Sequence, residues 1–273
     1  MASYLQARVH SGEWIIRIED IDPDREPRGA ISSILQTLFD YGFVWDERPI
    51  YQSRQHNLHN HIASRIYNDG LAYYCSCSRK DLAAHLNIGS MGSIYPGTCA
   101  NRNISAAGHN LRVRTDSDEI CFVDRHFGKQ TGNLKSESGD YVIYRADKLP
   151  SYIFAVSIDD IFERYTEVVR GADLLNITLR QVHLSQLLNK SQPNFFHIPI
   201  ITDNDGNKLS KQTHAPALKK HEARSNLYFA LQDLGQNPPH NLLWRPLWAV
   251  WEWAIINWNI KSIPQQKHIV YDH

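Results

Sequence analysis

Two lysines bracket one small hydroxyl residue in Lys208-Leu209-Ser210-Lys211-Gln212. The run Asp203-Asn204-Asp205-Gly206-Asn207 sits just ahead of them. Asp, Asn and Gly in such a run are turn formers, because short carboxylate or amide side chains bond nearby backbone and Gly takes positive φ. The lysines therefore leave a tight turn on a loop, where two ammonium groups and a hydroxyl can converge on one anion. A triphosphate attacked at its α-phosphorus suits them: charge builds on its oxygens, and preplaced cations stabilise that charge more than the ground state. Taken alone, Lys-x-x-Lys is more often a solvated basic turn.

A second group that could do chemistry is acidic. Glu19-Asp20-Ile21-Asp22 follows Trp14-Ile15-Ile16-Arg17-Ile18, which reads as a strand. Loops at strand ends are where open α/β sheets bind ligands, and carboxylates there can hold an ammonium group. The alternative is an acidic helix entry that complements the dipole of the next helix. A third group is thiol. Cys75 and Cys77 form Cys-x-Cys, Cys99 lies 22 positions after Cys77, and Cys121 stands alone. Three thiolates can serve a tetrahedral zinc, with Tyr95, His85 or His109 open as the fourth ligand; three ordinary thiols are an equal reading.

Stepping along the chain supplies the elements that must carry these groups. Residues 3 to 10 read as a helix stopped by Ser11-Gly12. A second helix is expected from Gly29 to Tyr41, with Ile31, Ile34, Leu35 and Leu38 on one face. A third runs from His56 to Asn68; its histidines lack ligand spacing and read as surface. Residues 86 to 110 are rich in Gly, Ser, Asn and Pro and form an irregular segment. Strand-like pieces follow at 111–114, 120–123 and 141–144 without a βαβ rhythm, as in an insertion between two halves of a sheet domain. The rhythm resumes at Ser151. Glu167 to Asp173 is a strand and Gly turn carrying Arg170, a helix runs from 176 or 178 to Leu188, and Phe195 to Ile201 delivers the lysine loop. Each polar cluster thus sits just past a strand, as in a doubly wound sheet. The tail is helical, and Trp244, Trp248, Trp251, Ile255 and Trp258 read as a core-facing stripe.

The chain has 273 residues, with 29 basic and 29 acidic side chains and a formal net charge of +0. That disfavours coating of nucleic acid by charge alone. No run of 18 apolar residues exists, so no membrane partner is expected. No basic-then-apolar leader opens the sequence, which points to the cytoplasm and makes metal a better reading of clustered cysteines than disulfide.

Arg17-Ile18-Glu19-Asp20, Val169-Arg170-Gly171-Ala172-Asp173 and Lys208-Leu209-Ser210-Lys211, in that order and with the cysteine cluster between the first two, resemble the glutamyl-tRNA synthetases and most closely their short paralogues, the glutamyl-Q tRNA(Asp) synthetase family. The resemblance implies an α/β fold: a class I synthetase Rossmann domain with a zinc-containing insertion and a short helical C-terminal region. On that pattern residues 1–72 are the first half of the Rossmann domain, 73–140 the insertion of acceptor-binding type, 141–202 the second half, and 203–273 the lysine loop and helical tail. It implies ATP with Mg²⁺, L-glutamate and queuosine-containing tRNA(Asp) as partners of a monomeric ligase. Glu19 would hold the glutamate amino group, and Tyr152 and Arg170 would bind glutamate, Arg170 through its carboxylate. Lys211 would contact ATP and stabilise the transition state, with Lys208 helping and Ser210 in the same ATP-binding loop. A structural Zn²⁺ would sit on Cys75, Cys77, Tyr95 and Cys99.

Two features set this sequence against the resembled pattern. The 61 residues from 213 to 273 leave no room for the large anticodon-binding region of a full glutamyl-tRNA synthetase, which favours the paralogue. The family's first strand, and the loop after it with its His-containing ATP signature, would precede Met1. On that reading the first strand is missing from the sheet, and the chain as written is expected to be inactive and poorly stable. The competing expectations are a fragment of a discriminating glutamyl-tRNA synthetase and a catalytically dead, zinc-stabilised tRNA-binding remnant.

Overall fold

The computed structural model describes residues 1–83, 87–209 and 217–271. Ser210 and Lys211 of the lysine motif, and His85 of the candidate metal ligands, lie outside them.

The first stretch holds α1 (Ala2–Val9), β1 (Arg17–Ile18), α2 (Ala30–Asp40), β2 (Ile50–Tyr51) and α3 (His56–Asn68). β1 and β2 run parallel, with Arg17 opposite Ile50. The strand expected over Trp14 to Ile18 is a ladder only at its last two residues. The apolar face expected on α2 is only half covered: Ile34 is exposed, and a cleft of about 530 Å³ separates the helix from β1.

The middle stretch holds β3 (Ala72–Cys75), α4 (Arg79–Ala83), β4 (Ile88–Gly89), β5 (Gly92–Ser93), β6 (Asn110–Val113), β7 (Ile120–Asp124), β8 (Gly128–Gly132), α5 (Leu134–Glu137) and β9 (Tyr141–Tyr144). β3, β6 and β9 make an antiparallel sheet in the order β3-β6-β9. The buried Asp140 carboxylate locks its end, accepting from Tyr73 Oη at 2.6 Å and from the Thr115 N–H at 2.8 Å.

The last stretch holds α6 (Tyr152–Phe162), β10 (Glu167–Gly171), α7 (Thr178–Leu187), β11 (Asn194–Ile198), β12 (Ile200–Thr202), α8 (Ala223–Asp233), α9 (Leu247–Asn257) and β13 (His268–Val270). β10 and β11 are parallel with Arg170 opposite His197. The sheet continues through β7 and β8, in the order β10-β11-β7-β8. Two strands of the segment 73–140 therefore share a sheet with the strands that carry the later motifs. β10 and β1 face one another across a cleft of about 690 Å³ walled by Trp14, Arg17, Val168 and Val169, with no strand between them among the described residues.

The main core packs α3, α6 and α7 on these sheets through Ile66, Val113, Ile143, Phe154, Ile158 and Phe195. A second core forms where α1 meets α8 and α9. There Trp251 packs edge-on against Tyr4 and Phe43 at ring-centroid distances of 4.8 Å, and its Nε1 donates to Tyr41 O at 2.9 Å. The expected tryptophan stripe is displaced by one position. The buried face of α9 is centred on Leu247, Val250, Trp251 and Ala254, so Trp248 lies on the rim at 64 % exposure, and Trp244, before the helix, is 67 % exposed. Trp251→Ala is expected to cost about 3–5 kcal/mol, because it opens a large cavity and strands the Tyr41 carbonyl. Urea unfolding reads this as a lower midpoint with an unchanged slope. No helix among the described residues is long and apolar enough to cross a membrane.

Candidate active site

The lysine loop forms as its composition dictates. Asp203 Oδ1 accepts the N–H groups of Asp205 and Asn207 at 3.0 and 2.8 Å, Gly206 takes φ of 81°, and Leu209 N–H returns to Ile201 O at 2.9 Å. That side-chain-anchored turn aims Lys208 at the end of β10, where its Nζ lies 2.7 Å from Asp173 Oδ2. The second and third motifs are therefore joined by a direct ion pair. Gly171 makes the joint possible. A Cβ there would collide with the Asp173 carboxylate and come within 2.8 Å of Ile200 Cγ2.

Arg170 projects from β10 beneath this pair. Its Nε donates to His197 Nε2 at 3.0 Å, and its Nη2 donates to Thr178 Oγ1 at 2.7 Å and to Gln181 Oε1. Burial lowers its pKa, against the pull of Tyr152, Asp160 and Asp124. The guanidinium is thus already stripped of much of its water before any ligand arrives.

Tyr152 opens α6, whose N-terminus is capped by the Ser151 hydroxyl accepting from Phe154 N–H. Burial raises the phenol's pKa, Glu19 adds to the rise, and Arg170 opposes it. The phenol therefore senses both the carboxylate and the guanidinium. Glu19, just past β1, is raised by burial and pulled back by Arg17, whose Nη2 lies 3.5 Å from Glu19 Oε1. Arg17 in turn donates to Asp160 Oδ1 at 2.7 Å. A second opening of about 700 Å³ reaches Glu19 and Tyr152 from the side of Asp22, Asn110 and Arg145. Glu19, Tyr152, Arg170 and Lys208 are brought to one region, from four segments far apart in the chain.

Several members of the site were given no role from sequence. Arg17 and Asp160 form a buried pair that conditions Glu19, and burial raises the Asp160 carboxyl's pKa. The adjacent Asp159 takes His59 Nε2 at 2.7 Å and Gln52 Nε2 at 2.7 Å. His59, read as a surface residue, is instead fully buried, because that carboxylate supplies the partner a buried imidazole needs. The signal open to sequence was the Asp159-Asp160 doublet in an apolar helix, since buried carboxylates demand partners.

The thiols meet at the far end of β3. Cys75, Cys77 and Cys99 place their sulfurs within 4.8 Å of one another, with Cys77 and Cys99 3.5 Å apart. Tyr95 Oη lies 3.3 Å from Cys75 Sγ, 3.8 Å from Cys77 Sγ and 3.0 Å from the Cys99 N–H. Arg112 stands 3.9 Å over the Tyr95 ring and holds it there. Sulfurs around a tetrahedral zinc sit about 3.8 Å apart, from a Zn–S bond of about 2.3 Å, so the donor set fits such an ion. Burial pushes the Cys77 thiol up to about 11, while hydrogen bonds from Tyr95 and Ser76 overcome burial and hold Cys99 down to about 6. His109 is half-buried and bonds its own loop through Ser105 O, and it is not among the residues of the cluster. Cys121 is exposed and apart from it.

Residues 1–231 match the family described as tRNA synthetases class I (E and Q), catalytic domain. The chain is 42 % identical over 265 residues to a glutamyl-Q tRNA(Asp) synthetase of Pseudomonas fluorescens, covering 97 % of this chain and 87 % of that one. It is 43 % identical over 269 residues to a glutamyl-Q tRNA(Asp) synthetase of Pseudomonas syringae pv. syringae, covering 98 % and 89 %. Among solved structures, the glutamate-tRNA synthetase of Elizabethkingia anophelis superposes with a TM-score of 0.80 at 20 % identity, over 98 % of this chain and 63 % of its own length. A glutamate tRNA ligase of Elizabethkingia meningosepticum, solved in complex with its amino acid, gives 0.79 at 20 % over 97 % of this chain and 62 % of its own. These structures share the mixed α/β fold described above. With most of its length inside the class I catalytic-domain model and relatives above two-fifths identity along almost all of it, the chain belongs to the glutamyl-Q tRNA(Asp) synthetase family of class I ligases.

Proposed function

We propose that the chain activates L-glutamate with ATP and Mg²⁺ and transfers it to queuosine at the wobble position of tRNA(Asp). The observation that carries this reading is the convergence of Glu19, Tyr152 and Arg170 beside the Lys208–Asp173 pair. The names of its relatives supply the substrates.

In the first step a glutamate carboxylate oxygen attacks the ATP α-phosphorus and pyrophosphate leaves with the broken P–O bond. In the second a hydroxyl of the queuosine cyclopentene ring attacks the mixed anhydride and AMP leaves. Both are displacements in which position and charge carry the rate. Glu19 takes the substrate ammonium, a reading that its burial supports. A half-buried carboxylate that Arg17 partly compensates gains most when a second cation arrives. Arg170 takes a substrate carboxylate through its remaining Nη1, since a charge-assisted N–H···O⁻ bond is stronger than a neutral one. Tyr152 sits between them. Lys211, with Lys208 and Ser210, meets the ATP phosphates.

The three thiols and Tyr95 would hold a structural zinc, which supplies cross-linking of β3 to the 95–99 turn and no step of the reaction. That metal supports the segment 73–140, which would receive the tRNA. Cys99→Ala is expected to drop bound zinc from about one ion per chain to a small fraction of that, read by metal analysis of the purified protein. The same variant is expected to weaken tRNA binding more than glutamate activation. Full zinc retention would remove the site.

Glutamate-dependent exchange of pyrophosphate into ATP tests the activation step. The reading predicts exchange with glutamate and none with aspartate or glutamine; exchange by this chain would overturn the expectation, drawn from the resembled pattern, that it is inactive. Binding of tRNA without adenylate formation, unchanged in Lys211→Ala, would instead favour an RNA-binding remnant.

A further inference from the structure

Arg170 is anchored on three sides, and one anchor is chemically particular. His197 Nε2 accepts the Arg170 Nε proton at 3.0 Å, so that nitrogen must carry a lone pair. The ring proton then resides on Nδ1, which donates to Asp124 Oδ2 at 2.6 Å. Asp124 is itself fixed by the N–H groups of His126 and Phe127 on Oδ1, at 3.0 and 2.9 Å, and of His197 on Oδ2, at 3.1 Å. The His197 and Asp124 side chains are both wholly buried. Thr178 Oγ1 lies 3.0 Å from Leu174 O and 3.2 Å from the bare His197 Nε2, so its one proton goes to an acceptor and leaves an oxygen lone pair for Arg170 Nη2. Gln181 takes the same Nη2 through Oε1. Nη1 has no protein partner among the described residues, so the fork offers one edge outward.

We propose that Asp124 and His197 act as a positioning pair: the carboxylate fixes the imidazole tautomer, the imidazole fixes the guanidinium, and the guanidinium's remaining edge is thereby aimed at the substrate carboxylate. Two strands of one sheet, β7 and β11, set the orientation of a binding residue on a third. The proposal rests on the reading of Arg170 as a glutamate ligand. Its design follows from geometry. A long arginine side chain has many rotamers, and a ligand that must select one of them loses affinity. A neutral imidazole anchors it without adding a competing charge.

Three measurements test it. First, the ¹⁵N resonances of His197 at pH 7 should show Nδ1 protonated and Nε2 bare, and the Arg170 Nε–H should exchange slowly. The opposite tautomer overturns the proposal. Second, calorimetry should give His197→Leu a glutamate Kd at least tenfold weaker with the ATP Kd within twofold, and His197→Gln, whose amide oxygen can reach the same Nε, should recover most of the loss. Equal weakening for both ligands, or no recovery, would mean that His197 is only a packing residue. Third, Arg170→Leu separates the two layers of the argument. If it leaves the glutamate Kd unchanged, the ligand reading fails and the proposal with it. If it weakens glutamate while His197→Leu does not, the positioning role alone is wrong.

Discussion

Arg170→Leu is expected to reduce kcat/KM for glutamate activation by about 10²–10³-fold, equivalent to about 3–4 kcal/mol. The size follows from where the guanidinium sits. Burial has already lowered its pKa, so its desolvation is met at folding, and a substrate carboxylate encounters a charge that need not shed water again. Removing it leaves the bound carboxylate facing an apolar stem and two unpaired acceptors, Gln181 Oε1 and His197 Nε2. The loss should fall on the glutamate KM and leave the ATP KM near its original value. Arg170→Lys should recover little, because an ammonium cannot serve Thr178, Gln181, His197 and the ligand together. Pyrophosphate exchange at varied glutamate concentration reads both variants. A loss confined to the ATP KM would contradict the assignment.

Lys211→Ala is expected to lower kcat for adenylate formation by about 10²–10³-fold with a small change in the ATP KM. Lys208 is ion-paired with Asp173, so part of its charge is already compensated. Lys211 follows three positions on in the same motif and is assigned the charge that grows at the α-phosphorus. Lys208→Ala should therefore cost less, about tenfold, and partly through slackening of the loop against β10. Gly171→Ala should mimic it, because the new methyl displaces Asp173 from under Lys208. Equal losses for Lys208→Ala and Lys211→Ala in single-turnover adenylation would undo this division of labour.

The parts of the site legible in sequence are those made by local chemistry. The Asp203–Asn207 turn follows from a carboxylate bonding its own backbone two and four residues on. The Cys-x-Cys pair and the Gly-Ala-Asp turn after β10 are equally short-range. Tyr95 was singled out from His85 and His109 only by the family resemblance, since nothing in its neighbours distinguishes a ligating phenol from a packed one. The roles and partners of Arg17, His59 and His197 were not legible. Their partners Asp160, Asp159 and Asp124 lie 143, 100 and 73 positions away, and a pairing between distant segments leaves no periodicity to read. The same distance explains β7: its pattern showed a strand, but not that the strand would join β11. The tryptophan stripe held only in part, with Trp251, Ile255 and Trp258 on the core and Trp244 and Trp248 exposed, for a different reason. Aromatic residues at helical spacing marked a face of α9, but the face that α1 and α8 cover is centred on smaller neighbours, which helical wheels cannot rank without the packing partner.

Transfer of labelled glutamate to purified tRNA(Asp), with and without queuosine at the wobble position, bears most directly on the central claim. The account predicts ATP-dependent labelling of the queuosine-containing tRNA alone, slowed by about 10²–10³-fold in Lys211→Ala and, at low glutamate, in Arg170→Leu. Labelling of tRNA(Glu), or of tRNA(Asp) regardless of queuosine, would contradict it.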